Sequence, residues 1–361
     1  MGKKLMRALI FDRYLDTLGG GERYSLYFAL ALSKLGFKVE IAWSNLEDIS
    51  SAEKKFGFDL GQISLNTEAY SLFFTKSKLK ERYKFTRDYD LVFWLSDGSL
   101  PFLFAKKNFI HIQVPFKKLG GDPIINTIKS LTYSKVIYNS KFTEGFIKKQ
   151  IPLAKGVVLY PPVDVESMKS KIEKKNIILS VARFDSPSHA KRQDVLIDAF
   201  TKLNSKEKKY RLVLAGGIRG KGGEDYLGLL KKSAKNLPVK FIANPSFTEL
   251  KQLYADAKFF WHAAGYGVDE EKEPEKVEHF GITTVEAMAA GCVPIVINKG
   301  GQKEIIKSET GFLCDSVDEI VSYTHSLINS PEKLNLISNN AVNRAKDFSQ
   351  EQFVNEVKAL S

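Results

Sequence analysis

Short apolar runs alternate with longer amphipathic segments along the whole chain, and the alternation sets the fold class. Leu5 to Phe11, Val39 to Trp43, Leu91 to Leu95, Asn108 to Ile112, Lys135 to Tyr138 and Val157 to Tyr160 have the length and near-continuous apolarity of strands. Residues 20–35 carry helical spacing between the first two. After Pro161-Pro162-Val163-Asp164 and the charged stretch to Lys175, the best linker candidate, the scheme restarts. Strand-like runs then fall at Ile177 to Val181, Leu212 to Ala215, Val239 to Ile242, Phe259 to Trp261 and Val293 to Ile297. Strand and helix in repeated alternation predict parallel sheets covered by helices. The expected class is α/β, with two doubly wound, Rossmann-like domains at 1–165 and 166–345 facing a cleft, and a C-terminal helix over 346–361 placed to pack back on the first domain. Such sheets bind ligands at the carboxyl ends of their strands, where the glycines and charged residues of this chain cluster.

A length of 361 residues supports two cores of this kind, and 43% hydrophobic residues make the chain globular. Cys292 and Cys314 are its two cysteines, each beside apolar residues, which predicts buried thiols in a reducing, cytoplasmic setting. The first fourteen residues do not read as a signal peptide, because Arg7, Asp12 and Arg13 break the apolar run. Gly2 lacks the Ser or Thr that myristoylation wants at position 6, which is Met6. No run approaches the roughly 20 apolar residues of a membrane span.

Charge separates the halves. Residues 1–160 hold 25 Lys and Arg against 15 Asp and Glu, or +10, and the remainder 29 against 27, or +2. Leu72-Phe73-Phe74 followed by Lys76, Lys78, Lys80, Arg82 and Lys84 is the densest basic and aromatic stretch, with Lys106-Lys107 and Lys117-Lys118 further on. Clusters of this type suit an anionic membrane surface or a polyanion, and equally a solvated face. No nucleic-acid motif accompanies them.

Candidate chemistry concentrates at Glu278-His279-Phe280-Gly281-Ile282-Thr283-Thr284-Val285-Glu286. Ile282, Val285 and Met288 have helical spacing, so Gly281 opens a helix, and first-turn amides with the helix dipole attract phosphate. Carboxylates on either side accept charge-assisted hydrogen bonds from sugar hydroxyls. The spacing alone fits a core helix with solvated flanks as well. Arg183 ends a strand and Lys191 precedes a helix, which places two cations to neutralise a diphosphate. Gly19-Gly20-Gly21-Glu22 lies between the first strand and helix, where bare backbone can approach a ligand or serve only a turn. It does not complete a dinucleotide fingerprint.

The string from Glu278 to Gly291 resembles the E-x7-E signature of the retaining glycosyltransferases of family 4, which have the GT-B fold. That resemblance implies a donor-sugar contact for Glu278, a ribose contact for Glu286, and donor binding by Gly20, Gly21, Arg183, Lys191, Phe280, Gly281, Ile282 and Thr283. It also implies a polarising role for His111, at a strand end in Ile110-His111-Ile112, beside Glu278, Arg183 and Lys191 as catalytic groups. Trp261-His262 and Asn298-Lys299-Gly300-Gly301 are most similar to GDP-mannose-dependent mannosyltransferases. The implied partners are a nucleotide sugar, with GDP-mannose favoured, and a glycan or lipid-linked glycan acceptor, with the enzyme cytoplasmic or peripheral at a membrane. No cofactor or metal is expected. Two departures stand out: the segment Asp185 to Ala190 is longer than the family pattern, and Arg192 replaces the family's glycine after the lysine. The acidic stretch Asp269 to Glu278 has no counterpart and no evident role.

Two other chemistries fit the sequence less well. Continuous helix would hold Glu278 and Glu286 about 12 Å apart, beyond the roughly 5 to 9.5 Å of glycoside hydrolysis. Asp88-Tyr89-Asp90 has the form of a metal-binding D-x-D but precedes a strand, so it reads as a turn. A nucleotide-sugar epimerase of the same fold and a non-catalytic polyanion-binding module remain the alternatives.

Overall fold

Every paired strand runs parallel to its neighbours, and most bury both faces, as near-continuous apolar runs require. The protein is described from a computed structural model covering residues 5–74, 78–169, 173–185 and 191–361. Lys76, residues 1–4 and the segments 170–172 and 186–190 lie outside the described residues.

The chain divides into two units, residues 1–162 with 351–361 and residues 163–350. The first begins with β1 (Arg7–Phe11), α1 (Gly20–Lys34), β2 (Lys38–Ile41), α2 (Leu46–Phe56) and β3 (Ser64–Leu65). Next come α3 (Thr67–Phe74), α4 (Leu79–Thr86), β4 (Leu91–Leu95), β5 (Lys107–Ile112), α5 (Pro123–Leu131), β6 (Lys135–Tyr138), α6 (Lys141–Ile147) and β7 (Gly156–Val158). Its sheet has the order β3-β2-β1-β4-β5-β6-β7.

The period of two in β1 divides the core. Ala8 and Ile10 pack with α1 and with Phe353 and Val357, while Leu9 and Phe11 face Phe73 and Trp94. Phe73 is 5% exposed, with its ring centroid 4.4 Å from that of Phe11, and Phe74 is half-buried against Phe11 and Trp94. The aromatic pair beside the lysine run is therefore sheet-packing material and not an exposed anchor.

The second unit contains α7 (Val165–Met168), β8 (Lys175–Val181), α8 (Gln193–Asn204), β9 (Arg211–Gly216), α9 (Gly220–Ser233), β10 (Val239–Ala243) and α10 (Phe247–Asp256). It continues through β11 (Ala257–His262), α11 (Ile282–Ala289), β12 (Val293–Ile297), α12 (Gln302–Ile305), β13 (Phe312–Cys314), α13 (Val317–Ile328) and α14 (Pro331–Ala345). The last helix, α15 (Gln350–Leu360), returns to the first unit, since Phe353 and Val357 belong to its core. Strand order in the second sheet is β10-β9-β8-β11-β12-β13.

Strands β3 and β13, of two and three residues at sheet edges, were not foreseen, because runs that short carry no period. Cys292 and Cys314 are buried free thiols. Among the described residues no helix is long and apolar enough to cross a membrane.

Candidate functional site

The carboxyl ends of β8 and β11 organise the second unit's polar cluster. His262 closes β11, residues 263–281 follow as a long loop, and Glu278 returns from that loop to His262. The Lys191 Nζ lies 3.0 Å and the His262 Nε2 3.1 Å from one carboxylate oxygen, Glu278 Oε2. Among the described residues no group is bonded to the other oxygen, Oε1, and the side chain keeps 17% exposure. Burial opposes ionisation of Glu278, but Lys191 and His262 outweigh it and hold the carboxyl well below the usual range. The neighbouring His279 is pushed down to about 4 by burial and by Lys191. Glu278 is thus a fixed anion with one oxygen open.

Gly281 is the N-cap of α11 at φ +118°, a left-handed conformation that disfavours any side chain. No side chain caps the helix there, and Ile282 and Thr283 of the first turn are half-exposed, so their amides can meet an anion. A Cβ on Gly281 would stand 2.8 Å from the Gln302 amide, which is buried and donates to Thr284 Oγ1 at 3.0 Å. The glycine pair of Asn298-Lys299-Gly300-Gly301 backs the same segment. The Gly301 N–H donates to the Glu278 carbonyl at 2.8 Å, and a Cβ on Gly300 or Gly301 would collide with backbone at residues 278–280.

The acidic stretch gains a physical account here. Glu270 accepts the Gly300 N–H at 2.8 Å and pairs with Lys303 at 2.5 Å, which ties the long loop to the turn before α12.

Since α11 starts only at Ile282, half of the eight steps from Glu278 to Glu286 are not helical, and the 12 Å derived from continuous helix does not apply. Glu286 is 5% exposed and accepts the Tyr254 hydroxyl at 2.9 Å. Phe280 is likewise buried, its ring 5.4 Å from Phe348, so only its backbone could meet a ligand. Arg183, past the end of β8, is exposed and shows no ion pair among the described residues. Arg192 sits at φ +56° as the N-cap of α8, which explains why a glycine suits this position. Its guanidinium holds Asp194 through two nitrogens and donates to the Tyr266 carbonyl at 2.7 Å.

In the first unit the expected residues are placed differently. His111 is fully buried, its ring stacked on Tyr24 at 3.8 Å, and neither ring nitrogen has a hydrogen-bond partner of good geometry. Burial pushes it down to about 3, against a small opposing influence of the Ile137 backbone, so it stays neutral and cannot reach a ligand in this conformation. A Cβ on Gly21 would overlap the Gln113 amide at 2.1 Å, which makes that glycine a packing requirement. Gly20 alone of the pair is exposed. Glu22 turns back to accept the Gly19 N–H, and the fully buried Asp12 beside it is raised to about 7 by burial and by the Glu22 charge. Sequence reasoning gave Asp12 and Gln302 no role and used His262 only as part of a family motif; position at the end of a strand was the available signal for Asp12 and His262.

Asp88-Tyr89-Asp90 spans the turn before β4. Asp90 accepts the Arg7 N–H at 2.8 Å and pairs with Lys106. Among the described residues no three His, Cys, Asp or Glu side chains are grouped to hold a metal ion.

Residues 163–344, half of the chain, match the family described as glycosyl transferases group 1, and the chain belongs to that family: it is a glycosyltransferase. It is 27% identical to the GDP-Man:Man(3)GlcNAc(2)-PP-Dol alpha-1,2-mannosyltransferase of Dictyostelium discoideum, over 90% of this chain and 73% of that protein. The enzyme of the same name from Xenopus tropicalis is 32% identical over 54% of this chain, which spans only 41% of that relative. Similarity to solved structures is at the level of fold. Anabaena HepE, crystallised with UDP, superposes with a TM-score of 0.74 at 18% identity over 98% of this chain and 99% of that one. A glycosyltransferase from Rickettsia africae gives 0.76 at 17% identity, with 99% of each chain covered. The two parallel-sheet units have the GT-B architecture.

Proposed function

We propose that the protein is a retaining, family 4 enzyme that moves mannose from GDP-mannose to a glycan or lipid-linked glycan acceptor without a metal ion. The observation that carries this reading is the Glu278 carboxylate, held ionised by Lys191 and His262 through one oxygen and open at the other, directly before an uncapped helix N-terminus. An ionised carboxylate with a free oxygen suits sugar hydroxyls, and the amides of Ile282 and Thr283 suit a phosphate a few residues away. Mannose and GDP are favoured by the names of the Dictyostelium and Xenopus relatives, and mannose also by that of an alpha-1,3/1,6-mannosyltransferase from Rhizomucor pusillus.

In the transfer, the bond between the sugar's anomeric carbon and the diphosphate oxygen breaks while the acceptor oxygen bonds to the same face. The acceptor proton passes to the departing phosphate. Lys191 and Arg183 supply positive charge as the phosphate leaves, which is electrostatic stabilisation of the kind that commonly dominates such steps. Glu286, which accepts the Tyr254 hydroxyl, takes the ribose contact, and Gly281 gives the backbone close approach. Gly20 serves as open backbone in the first unit. His111, sealed under Tyr24, packs and does not polarise.

The test is product analysis with GDP-mannose and a short-chain pyrophosphoryl-lipid glycan, with UDP-glucose and a chelator as separate arms. Mannose transfer with an α-anomeric product, unaffected by chelation, is expected. A β-product, transfer only from UDP-sugars, or activity abolished by chelator and restored by manganese would each overturn the corresponding part.

A further inference from the structure

The first unit carries a helix turned inside out. On α5 the polar Asn126 and Ser130, four residues apart, are buried, whereas Ile124, Ile125, Ile128 and Leu131 are 73%, 46%, 52% and 61% exposed. At 100° per residue these four fall within one stripe and the buried polar pair lies opposite. Asn126 is held in that orientation by donating to the Gly120 carbonyl at 2.9 Å, and Ser130 by donating to the Thr127 carbonyl at 2.7 Å. The apolar stripe is thus the outward face by construction.

The stripe is continuous with a second exposed patch. Leu79 and Tyr83 on α4 are 51% and 45% exposed, and the Tyr83 ring meets Phe104 edge-on at 5.1 Å. Phe104 stacks on Phe102 at 6.4 Å, and Lys129 of α5 lies over the Phe102 ring at 5.4 Å. Six of the thirteen large hydrophobic side chains exposed among the described residues therefore share this face, while the others are spread over the rest of the chain. The helices and the segments that flank them are basic. Residues 78–87 hold five Lys and Arg against Glu81, and residues 117–131 hold three Lys against Asp122.

We propose that the α4–α5 face docks the first unit on an anionic lipid bilayer, with Ile124, Ile128 and Leu131 entering the acyl boundary and the surrounding lysines on headgroup phosphates. An exposed apolar stripe rimmed by cations has the chemistry of an interfacial helix, whose binding adds buried apolar area to attraction by anionic lipid. The rim argues for this occupant over a second copy, because two faces of equal positive charge would repel. The site stands independently of the donor chemistry, and it replaces Phe73 and Phe74, which are committed to the core.

Flotation with vesicles of phosphatidylcholine plus phosphatidylglycerol, and of phosphatidylcholine alone, tests the proposal without reference to activity. The wild-type chain should float at low salt with the anionic vesicles and far less with the neutral ones. The triple variant I124S/I128S/L131S, polar at positions already exposed, should lose more than 100-fold in affinity. K84A and K118A should lose about 5-fold each. The melting transition of the first unit should be unchanged, which confirms that the variants fold, and GDP-induced stabilisation of the second unit should persist. A wild type that does not float, a serine variant that floats like wild type, or equal flotation with neutral vesicles would overturn the proposal. A wild type that elutes as a dimer, with the serine variant monomeric, would overturn it in favour of self-association.

Discussion

At the scale of single residues the site depends on where charge is compensated and where it is left open. Glu278 has its folded pKa depressed, so its contribution to stability is present above the ordinary pKa of 4.5 and is lost as pH falls below it. Lys191→Ala would leave that carboxylate with His262 alone, at a cost of about 2 to 4 kcal/mol in donor affinity. Calorimetry with GDP measures this; wild-type affinity in the variant would remove Lys191 from the site. Asp12 has the opposite sign. Its folded pKa is raised from 3.8 to about 7, so the native state holds the proton longer and stability from this group declines as pH rises through that window. Asp12→Asn should therefore stabilise the protein above pH 7, by up to about 4 kcal/mol, and change little near pH 4. Thermal melts across that range decide it, and a gain independent of pH would show that desolvated charge is not the cause. Neither effect was legible in the sequence, because the burial of Asp12 is decided by the packed fold and Glu278 meets Lys191 across 87 positions.

At the scale of elements, two left-handed residues start the two helices that frame the site, and they differ in how the strain is offset. Gly281 has φ +118° with the buried Gln302 amide behind it, so Gly281→Ala should cost about 2 to 3 kcal/mol in stability and misplace the first turn of α11. Arg192 holds φ +56° with a side chain, and its bonds to Asp194 and Tyr266 oppose a strain of about 1 kcal/mol. Arg192→Ala keeps the strain and removes the bonds, so it should destabilise by about 1 to 3 kcal/mol, whereas Arg192→Gly removes both and should fall nearer to wild type. Denaturant melts of the pair test the ordering; Gly no better than Ala would mean that the backbone strain is negligible. Most strands were legible as apolar runs because parallel strands are buried on both faces, and β4, β6 and β12 coincide with the runs read from the sequence. The Lys191–Glu278 pair, 87 positions apart, had no local signal: the two residues were singled out separately, as a phosphate-neutralising cation and a sugar-binding carboxylate, and their pairing was not foreseen. The basic, aromatic stretch misled for a related reason. Which of two neighbouring aromatic clusters faces solvent is decided by the sheet beneath them, and β1 takes Phe73 while nothing takes Ile124.

At the scale of the whole molecule, the chain's end is structural. Residues 351–361 belong to the unit formed by residues 1–162, where Phe353 is 3% and Val357 0% exposed. The Phe353 ring stands edge-on to Tyr24 at 5.4 Å, and Tyr24 in turn covers His111, so α15 closes the stack over the first sheet. Removing both side chains in the double variant F353A/V357A should cost about 4 to 6 kcal/mol, a large part of the roughly 5 to 15 kcal/mol that holds a domain folded. For a unit of this size that corresponds to a fall of about 10 to 20 °C in its melting transition. The second unit has its own core and polar cluster, so its transition and its nucleotide-induced stabilisation should remain. Calorimetry with and without GDP resolves the two. If both transitions fall together, the units unfold as one cooperative body, and the last helix has a wider role than closing the first core.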